Sequence, residues 1–507
     1  MPLDAAEVAK HNTLSSCWIV ISGKVYDVTP YLEHHPGGAA ILARQGGRDA
    51  TSEFRTVHPP EVVEYLPKGS FLGETDAKAL ATLTMASTKK PTPAPAPEPA
   101  TPPDSVPLLI PPEEPRTKEP LHIAHVVTLP DFETAAKSVF SRNTYSYISS
   151  SANTGFSLAN NLASWSRITF RPRILRPVQS ATPHSSILTH RTPLPIYISA
   201  MGHLGRGHPG GEVALVRAAA RRGAHVLLST VTTQPIEEIA AALADEQKKL
   251  AQTNSADAVS PSCLHFQLYV RPDRAVTRSH IRRAKAAGAK TLWLTVDTAV
   301  LGKRTLDRRT QALEALEAGL PDAAERAALG QRSHVNQSMF EPGLSWDDVA
   351  WVKAEFGGPV VLKGVQTFED ARMAVEVGVQ GVVLSNHGGR QAHSAPEALA
   401  TLLEIRRYAP EVLDKIQVFV DGGLRDGADV LKAICLGATA VGVGRPFFYA
   451  LGAYGERGVE RCFDILAEEL VNGMQLLGIK SLDEAGPELV NASRLINEMW
   501  QPEKSRL

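Results

Sequence analysis

The segment Ser385–Gln391 has the residue types and spacing of a reactive site. It reads Ser-Asn-His-Gly-Gly-Arg-Gln and follows the apolar run Gly381–Leu384, which predicts a buried parallel strand ending in a glycine-rich loop. His387 supplies a base that titrates near neutral pH, and Arg390 supplies a planar group suited to a carboxylate. The two glycines allow the backbone to approach a flat ligand. A histidine beside two glycines is more often an ordinary loop residue, so the interpretation depends on the rest of the chain.

A second candidate site lies near the N-terminus. His35, in the sequence His-His-Pro-Gly-Gly, is followed 23 residues later by His58. Two histidines at this separation, on facing helical hairpins, could hold a metal or a haem iron from both sides. The alternative is a pair of exposed loop histidines.

The large C-terminal part of the chain alternates between strand and helix patterns. Helices are predicted between the strands, several of them ended by glycine. Eight strands with helical crossovers favour an α/β fold of the (β/α)8 TIM-barrel type. An open doubly wound sheet is the alternative, but no Gly-x-Gly-x-x-Gly follows the first strand. The predicted strands are Leu194–Ala200, His225–Thr230, Leu264–Val270, Thr291–Asp297, Val360–Val365, Gly381–Leu384, Gln417–Asp421 and Thr439–Val443.

Polar residues follow nearly every predicted strand. Barrel enzymes place their reacting groups at these carboxyl ends, and phosphate groups often bind after strands seven and eight. Packing alone does not explain so many polar strand ends. The residues concerned are Gln267, Tyr269, Thr295, Asp297, Lys363, His387, Arg390, Asp421, Gly423, Arg425, Gly444 and Arg445. The long stretch 302–345 between strands four and five has a charged helical core and is expected to be a lid or partly disordered.

With these motifs in place, the barrel region resembles the FMN-dependent L-2-hydroxy acid oxidases and dehydrogenases, most specifically over Leu384–Gln391. The resemblance implies that His387 removes a proton from the substrate and that Asp297 orients its imidazole. It also implies FMN as cofactor, a small 2-hydroxy acid as substrate and a homotetramer. For the substrate, the resemblance implies that Arg390 and Arg304 bind the carboxylate and that Tyr147 and Tyr269 donate hydrogen bonds. For the cofactor, it implies that Lys363 lies beside the flavin N1/O2 edge. The other implied cofactor contacts are Ser229, Gln267, Thr295, Lys363 and Asp421 with the flavin, and Gly423, Arg425, Gly444 and Arg445 with its phosphate.

The region 3–76 resembles cytochrome b5, through Val8–Asn12, Gly23–Val28 and Gly47–Thr51 as well as the His-Pro-Gly-Gly motif. The resemblance implies haem b with His35 and His58 as axial ligands and no open iron position for oxygen. A haem domain ahead of this barrel resembles the flavocytochrome b2 type of dehydrogenase. The implied activity is oxidation of a lactate-like L-2-hydroxy acid, with electrons passing through haem to an acceptor such as cytochrome c. An oxidase that produces hydrogen peroxide, and an inactive electron carrier, are the alternatives.

Composition limits the remaining possibilities. A formal charge of -1 gives no reason to expect nucleic acid or a membrane surface as partner, and no apolar run reaches the roughly 20 residues of a membrane span. The domains are predicted as 1–77 (haem), 78–120 (proline-rich linker), 121–500 (barrel) and 501–507 (tail). The last residues, Ser505-Arg506-Leu507, are close to a peroxisomal address. They predict a peroxisomal location, with cytosol or mitochondrial intermembrane space as alternatives.

Overall fold

The structure is a computed structural model that describes residues 3–35, 37–76, 119–252, 261–330 and 339–502. The predicted linker 78–120, apart from Glu119 and Pro120, and the Ser-Arg-Leu tail lie outside the described residues. Within the described part of the chain, no helix combines the length and the apolar character that a membrane crossing needs.

The N-terminal domain is built on a small mixed sheet. Strands run in the order β1-β2-β3-β5, and β4 pairs with β2 in parallel. Alternate residues of β2 and β3, such as Ile19 and Tyr26, face a compact apolar cluster under short helices. The elements are β1 Asn12–Thr13, β2 Ser16–Ile21, β3 Lys24–Asp27, β4 Arg48–Asp49, β5 Phe71–Glu74, α1 Ala5–Val8, α2 Ala39–Ala43, α3 Thr51–Val57 and the 3-10 segments Thr29–His34 and Pro60–Tyr65.

The C-terminal domain is a closed barrel of parallel strands, which confirms the predicted fold class. Each strand pairs with the next, and the last strand pairs with the first. Its interior is filled by Tyr197, Leu227, Trp293, Val361 and Phe419. These large side chains make the barrel interior a packed core, and barrels of this kind carry their reactive groups at the rim of strand ends. The barrel strands are β9 Ile196–Ile198, β10 His225–Leu228, β11 Leu264–Leu268, β12 Leu292–Thr295, β13 Val360–Val365, β14 Gly381–Leu384, β15 Gln417–Asp421 and β16 Ala440–Val443.

Helices cover the outside of the barrel, and shorter elements close its ends. Left-handed glycines end several crossover helices as predicted, among them Gly223, Gly378 and Gly437. The helices are α4 Leu129–Val139, α5 Arg142–Ser149, α6 Phe156–Ser164, α7 Gly211–Arg221, α8 Ile236–Gln252, α9 Arg274–Ala286, α10 Thr305–Glu317, α11 Pro321–Leu329, α12 Trp346–Phe356, α13 Phe368–Glu376, α14 Ala398–Tyr408, α15 Glu411–Lys415, α16 Gly427–Cys435, α17 Arg445–Tyr454, α18 Glu456–Leu477 and α19 Ser493–Glu498. The remaining strands are β6 Thr169–Phe170, β7 Ser185–Ile187, β8 His190–Thr192 and β17 Val490–Asn491.

The long insertion between β12 and β13 forms a contact surface for the N-terminal domain. Within it, α10 and α11 pack as a helical pair, and residues 331–338 lie outside the described residues. Ala39 and Ala40 of α2 are buried and pack against Ala315, Leu320 and Ala324 of this pair. The charged stretch, which the sequence predicts to be a lid or partly disordered, therefore includes two helices that contact the neighbouring domain.

Candidate active site

The loop after β14 brings His387 onto a buried carboxylate. Nδ1 of His387 lies 2.8 Å from Oδ1 of Asp297, and Nε2 lies 3.3 Å from the Tyr269 hydroxyl. The Asp297 side chain has no solvent exposure, and its Oδ1 also accepts a hydrogen bond from Thr298 at 2.8 Å. Because a carboxylate only accepts, Nδ1 carries the proton and Nε2 is left to act as a base.

Burial and neighbouring charges set the ionisation of this pair. Burial lowers the pKa of His387, and the attraction of Asp297 offsets only part of that effect. Burial raises the pKa of Asp297, but His387 and Lys363 outweigh it, so that the net pKa is below its ordinary value. Burial raises the pKa of the Tyr269 hydroxyl. At neutral pH the site thus holds a neutral imidazole, a carboxylate and a protonated phenol.

Lys363 places a buried ammonium beside this pair. Its Nζ lies 3.1 Å from the Ser385 hydroxyl and 3.4 Å from Oδ2 of Asp421. Burial disfavours the charged form, but Asp421 and Asp297 outweigh burial and raise the pKa of Lys363. The lysine is therefore a fixed positive charge in the barrel mouth.

A chain of amide and hydroxyl groups follows the ends of β10, β11 and β12. Gln267 is its centre: Nε2 donates to the Thr295 hydroxyl at 2.9 Å, and Oε1 accepts from the Ser229 hydroxyl at 3.4 Å. All three side chains are buried. The structure therefore brings together the residues that the sequence predicts on three separate strands.

Arg390, Arg304 and Tyr147 line the same cavity as His387. Arg390 uses Nη1 to donate to the carbonyls of Tyr147, Ile148 and Ser150 at 2.8 to 3.1 Å, and its guanidinium lies 5.4 Å from the Tyr147 ring centre. Arg304 has a buried Nε with no hydrogen-bond partner among the described residues. Burial and the nearby cation of Arg304 hold the pKa of Arg390 well below its usual range. This part of the site has an excess of positive charge and favours an anion.

The predicted phosphate contacts sit after β15 and β16. Gly423 has φ 82° and lies too close to the Asn161 carbonyl to accept a side chain. Gly444 precedes α17, whose N-terminal end can attract an anion. The guanidinium of Arg425 donates to the Leu424 carbonyl at 2.8 Å. Arg445 uses its three side-chain nitrogens on the carbonyls of Ile148, Gly388 and Ser150.

In the N-terminal domain, His35 and His58 face each other. Their ring centres are 6.0 Å apart at an interplanar angle of 84°. The Gly38 carbonyl accepts from Nδ1 of His35 at 3.3 Å, which leaves Nε2 available to a ligand. Burial lowers the pKa of His35 to about 4 and lowers that of His58 well below its ordinary value. Both imidazoles are neutral, the form in which histidine binds a metal.

One cavity of about 990 Å³ connects the two sites. Apolar side chains of the N-terminal domain, including Val28, Leu42 and Phe54, line one part of it. His387 and Lys363 line the part inside the barrel. A ligand of the small domain and a ligand of the barrel would face each other across this space.

Comparison with known proteins identifies both domains. Residues 136–492 match the family of FMN-dependent dehydrogenases. The chain belongs to that family. Residues 4–76 match the cytochrome b5-like heme/steroid binding domain. The predicted order of a b5-like domain followed by an FMN-dependent barrel is confirmed.

Relatives of this FMN-dependent dehydrogenase match either nearly the whole chain or about 70% of it. It is 35% identical over 493 residues to the L-lactate dehydrogenase (cytochrome) of Wickerhamomyces anomalus, covering 97% of this chain and 80% of that protein. Spinach glycolate oxidase is 36% identical over 71% of this chain and 94% of its own. A flavocytochrome b2 mutant with pyruvate bound aligns with TM-score 0.64 and 34% identity, over 75% of this chain and 90% of that one.

FMN is the cofactor of the barrel, and the site's polar groups fit it. In the cavity wall, Oδ1 of Asp421 and Oγ of Ser199 are buried without a hydrogen-bond partner among the described residues. Buried polar atoms are nearly always satisfied, so these two atoms indicate a polar ligand. The same wall also carries hydroxyl, amide and ammonium groups, from Ser229, Gln267, Thr295 and Lys363. A flavin ring has both hydrogen-bond donors and acceptors, so it can pair with this mixture of groups.

Haem b is the cofactor of the b5-like domain, and its two histidines fit an iron between them. Two imidazole nitrogens each about 2 Å from a shared metal put their ring centres about 6 Å apart, the separation of His35 and His58. His34 is exposed, and His11 is stacked on Trp18 with ring centres 3.4 Å apart. The assignment of His35 and His58, and not these two neighbours, as haem ligands stays a prediction.

Several residues that hold the site in place are missing from the sequence-based predictions. Asn386 exchanges two hydrogen bonds of 2.8 Å with Asn161 of α6, and Gln391 donates to the carbonyls of Asp297 and Val300. Both belong to the segment that the sequence analysis singles out, so their presence there is the available signal. His203 carries no such signal, because its side-chain hydrogen bond is to Val57 of the other domain.

Proposed function

We propose that this protein oxidises a lactate-like L-2-hydroxy acid to the 2-keto acid and passes the electrons through its haem to an external acceptor protein. Residues 1–77 form the haem domain and residues 121–500 the dehydrogenase. One observation supports the proposal above all others. His387 and Tyr269 line the same cavity as the His35–His58 pair, and Asp297 holds His387 from behind.

Substrate binding follows from the cationic side of the site. Arg390 and Arg304 bind the substrate carboxylate, since both lie in a region short of negative charge. Tyr147 adds a hydroxyl donor, and its oxygen lies 3.5 Å from the position a Cβ would take at Gly202. A carboxylate held at two points fixes the hydroxyl-bearing carbon relative to His387.

His387 is the base that removes a proton from the substrate. Its Nε2 faces the cavity and the Tyr269 hydroxyl, while Nδ1 is held by Asp297. The carboxylate cannot leave its buried position and stabilises the imidazolium that forms when Nε2 takes the proton. Tyr269, protonated at neutral pH, binds the substrate hydroxyl oxygen.

The remaining predicted residues hold the cofactor. Ser229, Gln267, Thr295 and Asp421 would hold the flavin ring, and Gly423, Arg425, Gly444 and Arg445 would hold its phosphate. Lys363 would supply a positive charge to the N1/O2 edge, where it would offset negative charge. Bound FMN supplies the two-electron acceptor for the oxidation.

Anaerobic stopped-flow mixing with L-lactate tests the proposal. The expected result is bleaching of the flavin followed by reduction of the haem, and then reduction of added cytochrome c. Flavin reduction without haem reduction would contradict the dehydrogenase function. Fast reoxidation of the flavin by oxygen, with release of hydrogen peroxide, would instead support the oxidase alternative. The similarity to glycolate oxidase is the reason for including this alternative.

Further aspects are proposed with separate tests. Gly202 and Val231 are small residues at the cavity, so a side chain longer than the methyl of lactate fits, and a panel of L-2-hydroxy acids measures this. We propose a tetramer, to be measured by light scattering. We also propose a peroxisomal location from Ser505-Arg506-Leu507, with cytosol and mitochondrial intermembrane space as alternatives. Imaging of the tagged chain with and without these three residues distinguishes them.

A further inference from the structure

His203 of the barrel contacts the segment that carries a haem ligand. It follows β9 in the loop that leads to α7, and its Nδ1 lies 3.2 Å from the carbonyl oxygen of Val57. Val57 ends α3, and the next residue is His58. Because a carbonyl can only accept, Nδ1 of His203 carries the proton and donates it. The barrel thus forms a hydrogen bond with the backbone of the residue directly before the haem ligand.

The ring of His203 also lies between the two sites. Its centre is 6.2 Å from the ring of His58 at 87°, and 6.0 Å from the ring of Tyr147 at 68°. These are edge-to-face distances at which aromatic rings attract each other. One side chain therefore contacts both a haem ligand and a residue of the substrate site.

The backbone around His203 is fixed for this contact. Its φ is 58°, a left-handed conformation that histidine adopts more readily than most residues. Its N–H donates to the Val231 carbonyl at 3.0 Å, which ties the loop to the end of β10. Two residues later, Gly205 has no room for a side chain because the Thr56 carbonyl lies against it. The loop and α3 are thus shaped to each other.

We infer that His203 is the positioning residue that seats the haem-ligand helix α3 over the barrel mouth. The two domains are joined by a proline-rich stretch that lies outside the described residues, and direct contacts such as this one fix how the domains face each other. A hydrogen bond from a rigid loop to the residue before His58 fixes the haem ligand relative to the substrate pocket. The inference rests on the proposed function, in which electrons cross between the two sites.

The test compares the full-length holoenzyme with two variants at this position. His203→Gly removes the imidazole, and glycine adopts the left-handed backbone conformation without strain. His203→Asn restores a donor near the place of Nδ1, on a residue that also tolerates this conformation. Loss of one hydrogen bond shifts an equilibrium between docked and undocked domains by about fivefold. In His203→Gly, the hydrogen-exchange protection of residues 51–58 and the rate of electron transfer from flavin to haem should both fall, each by up to that factor, because protection follows the docking equilibrium and the rate follows the docked fraction.

His203→Asn should recover most of both quantities, while the low-spin haem spectrum stays the same in all variants. The matched control is Glu61→Gln, which breaks a 2.9 Å ion pair with Arg283 at the rim of the same interface. A rim pair is worth little, so this variant should behave like the parent.

Unchanged exchange and transfer in His203→Gly would overturn the inference, and so would equal losses in His203→Asn or in Glu61→Gln. A parent enzyme whose haem is never reduced would contradict the proposed function instead. In that case hydrogen exchange alone still decides whether His203 seats α3.

Discussion

Replacing Asp297 by asparagine tests the acid–base arrangement directly, because the change removes one charge and keeps the side-chain shape. The carboxylate end of the 2.8 Å bond to His387 is fully buried, and the bond becomes charge-assisted, worth about 2 to 3 kcal/mol, once the imidazole is protonated. Since that protonated form arises only during the reaction, the loss appears in the rate. Flavin reduction should slow by about 30- to 150-fold.

Anaerobic stopped-flow reduction by L-lactate measures this rate. The KM should change little, because Asp297 lies behind His387 and away from the substrate. The low-pH limb of kcat/KM gives a second readout. Burial lowers the pKa of His387, and Asp297 partly restores it. The parent should therefore lose activity only as pH falls through a value below 6.5, and the variant at a still lower pH.

The matched control is Thr298→Val, which removes a 2.8 Å hydrogen bond to the same carboxylate and leaves its charge in place. The Thr298 hydroxyl donates to the carboxylate both before and after His387 takes the proton, so its loss should slow the reaction by about fivefold at most. Equal effects in the two variants would mean that the charge of Asp297 is not what matters. An Asp297→Asn enzyme within about threefold of the parent would refute the assigned role.

Three further predictions concern the pocket, the haem and the barrel. Gly202→Ala brings a Cβ within 2.6 Å of Val231 and should lower kcat/KM for acids longer than lactate, relative to lactate, by about fourfold per excluded methylene; a constant ratio would place the substrate side chain elsewhere. His58→Ala should abolish the low-spin haem spectrum while lactate still reduces the flavin; a surviving spectrum would move the ligand. Burial lowers the pKa of His225 to about 4, so stability should be complete above pH 6.5 and fall by up to about 3 kcal/mol as pH drops toward 4. His225→Gln should flatten this loss in chemical denaturation, and an equally steep loss would exclude His225 as its cause.

Local patterns in the sequence predict most of the fold and of the candidate site. Strands such as Val360–Val365 and Gln417–Asp421 have the bounds that the sequence predicts, because a buried parallel strand is a continuous apolar run with a clear polar end. The first strand, Ile196–Ile198, is shorter than the predicted Leu194–Ala200, and at its start Pro195 has no N–H to donate to a sheet. A barrel brings all these strand ends to one rim, so a prediction of the strand ends also predicts which residues form the site.

The arginines show where local patterns stop. The sequence predicts Arg390 and Arg445 as ligands of anions, yet in the structure both donate to backbone carbonyls at the end of α5. Which acceptor a guanidinium meets depends on elements distant in sequence that fold beside it. The predicted ligand contacts of these two residues stay predictions.

The sequence alone determined the two domains, their order, the barrel and the residues able to carry out acid–base chemistry, because strand periodicity, glycine positions and the histidine motifs are local properties of the chain. Only the tertiary structure decided how the domains meet. The insertion helices become a seat for Ala39 and Ala40, and His203 reaches the carbonyl before His58. These contacts join residues more than a hundred positions apart, and no local pattern encodes them, since packing between two finished domains depends on the shapes of both surfaces.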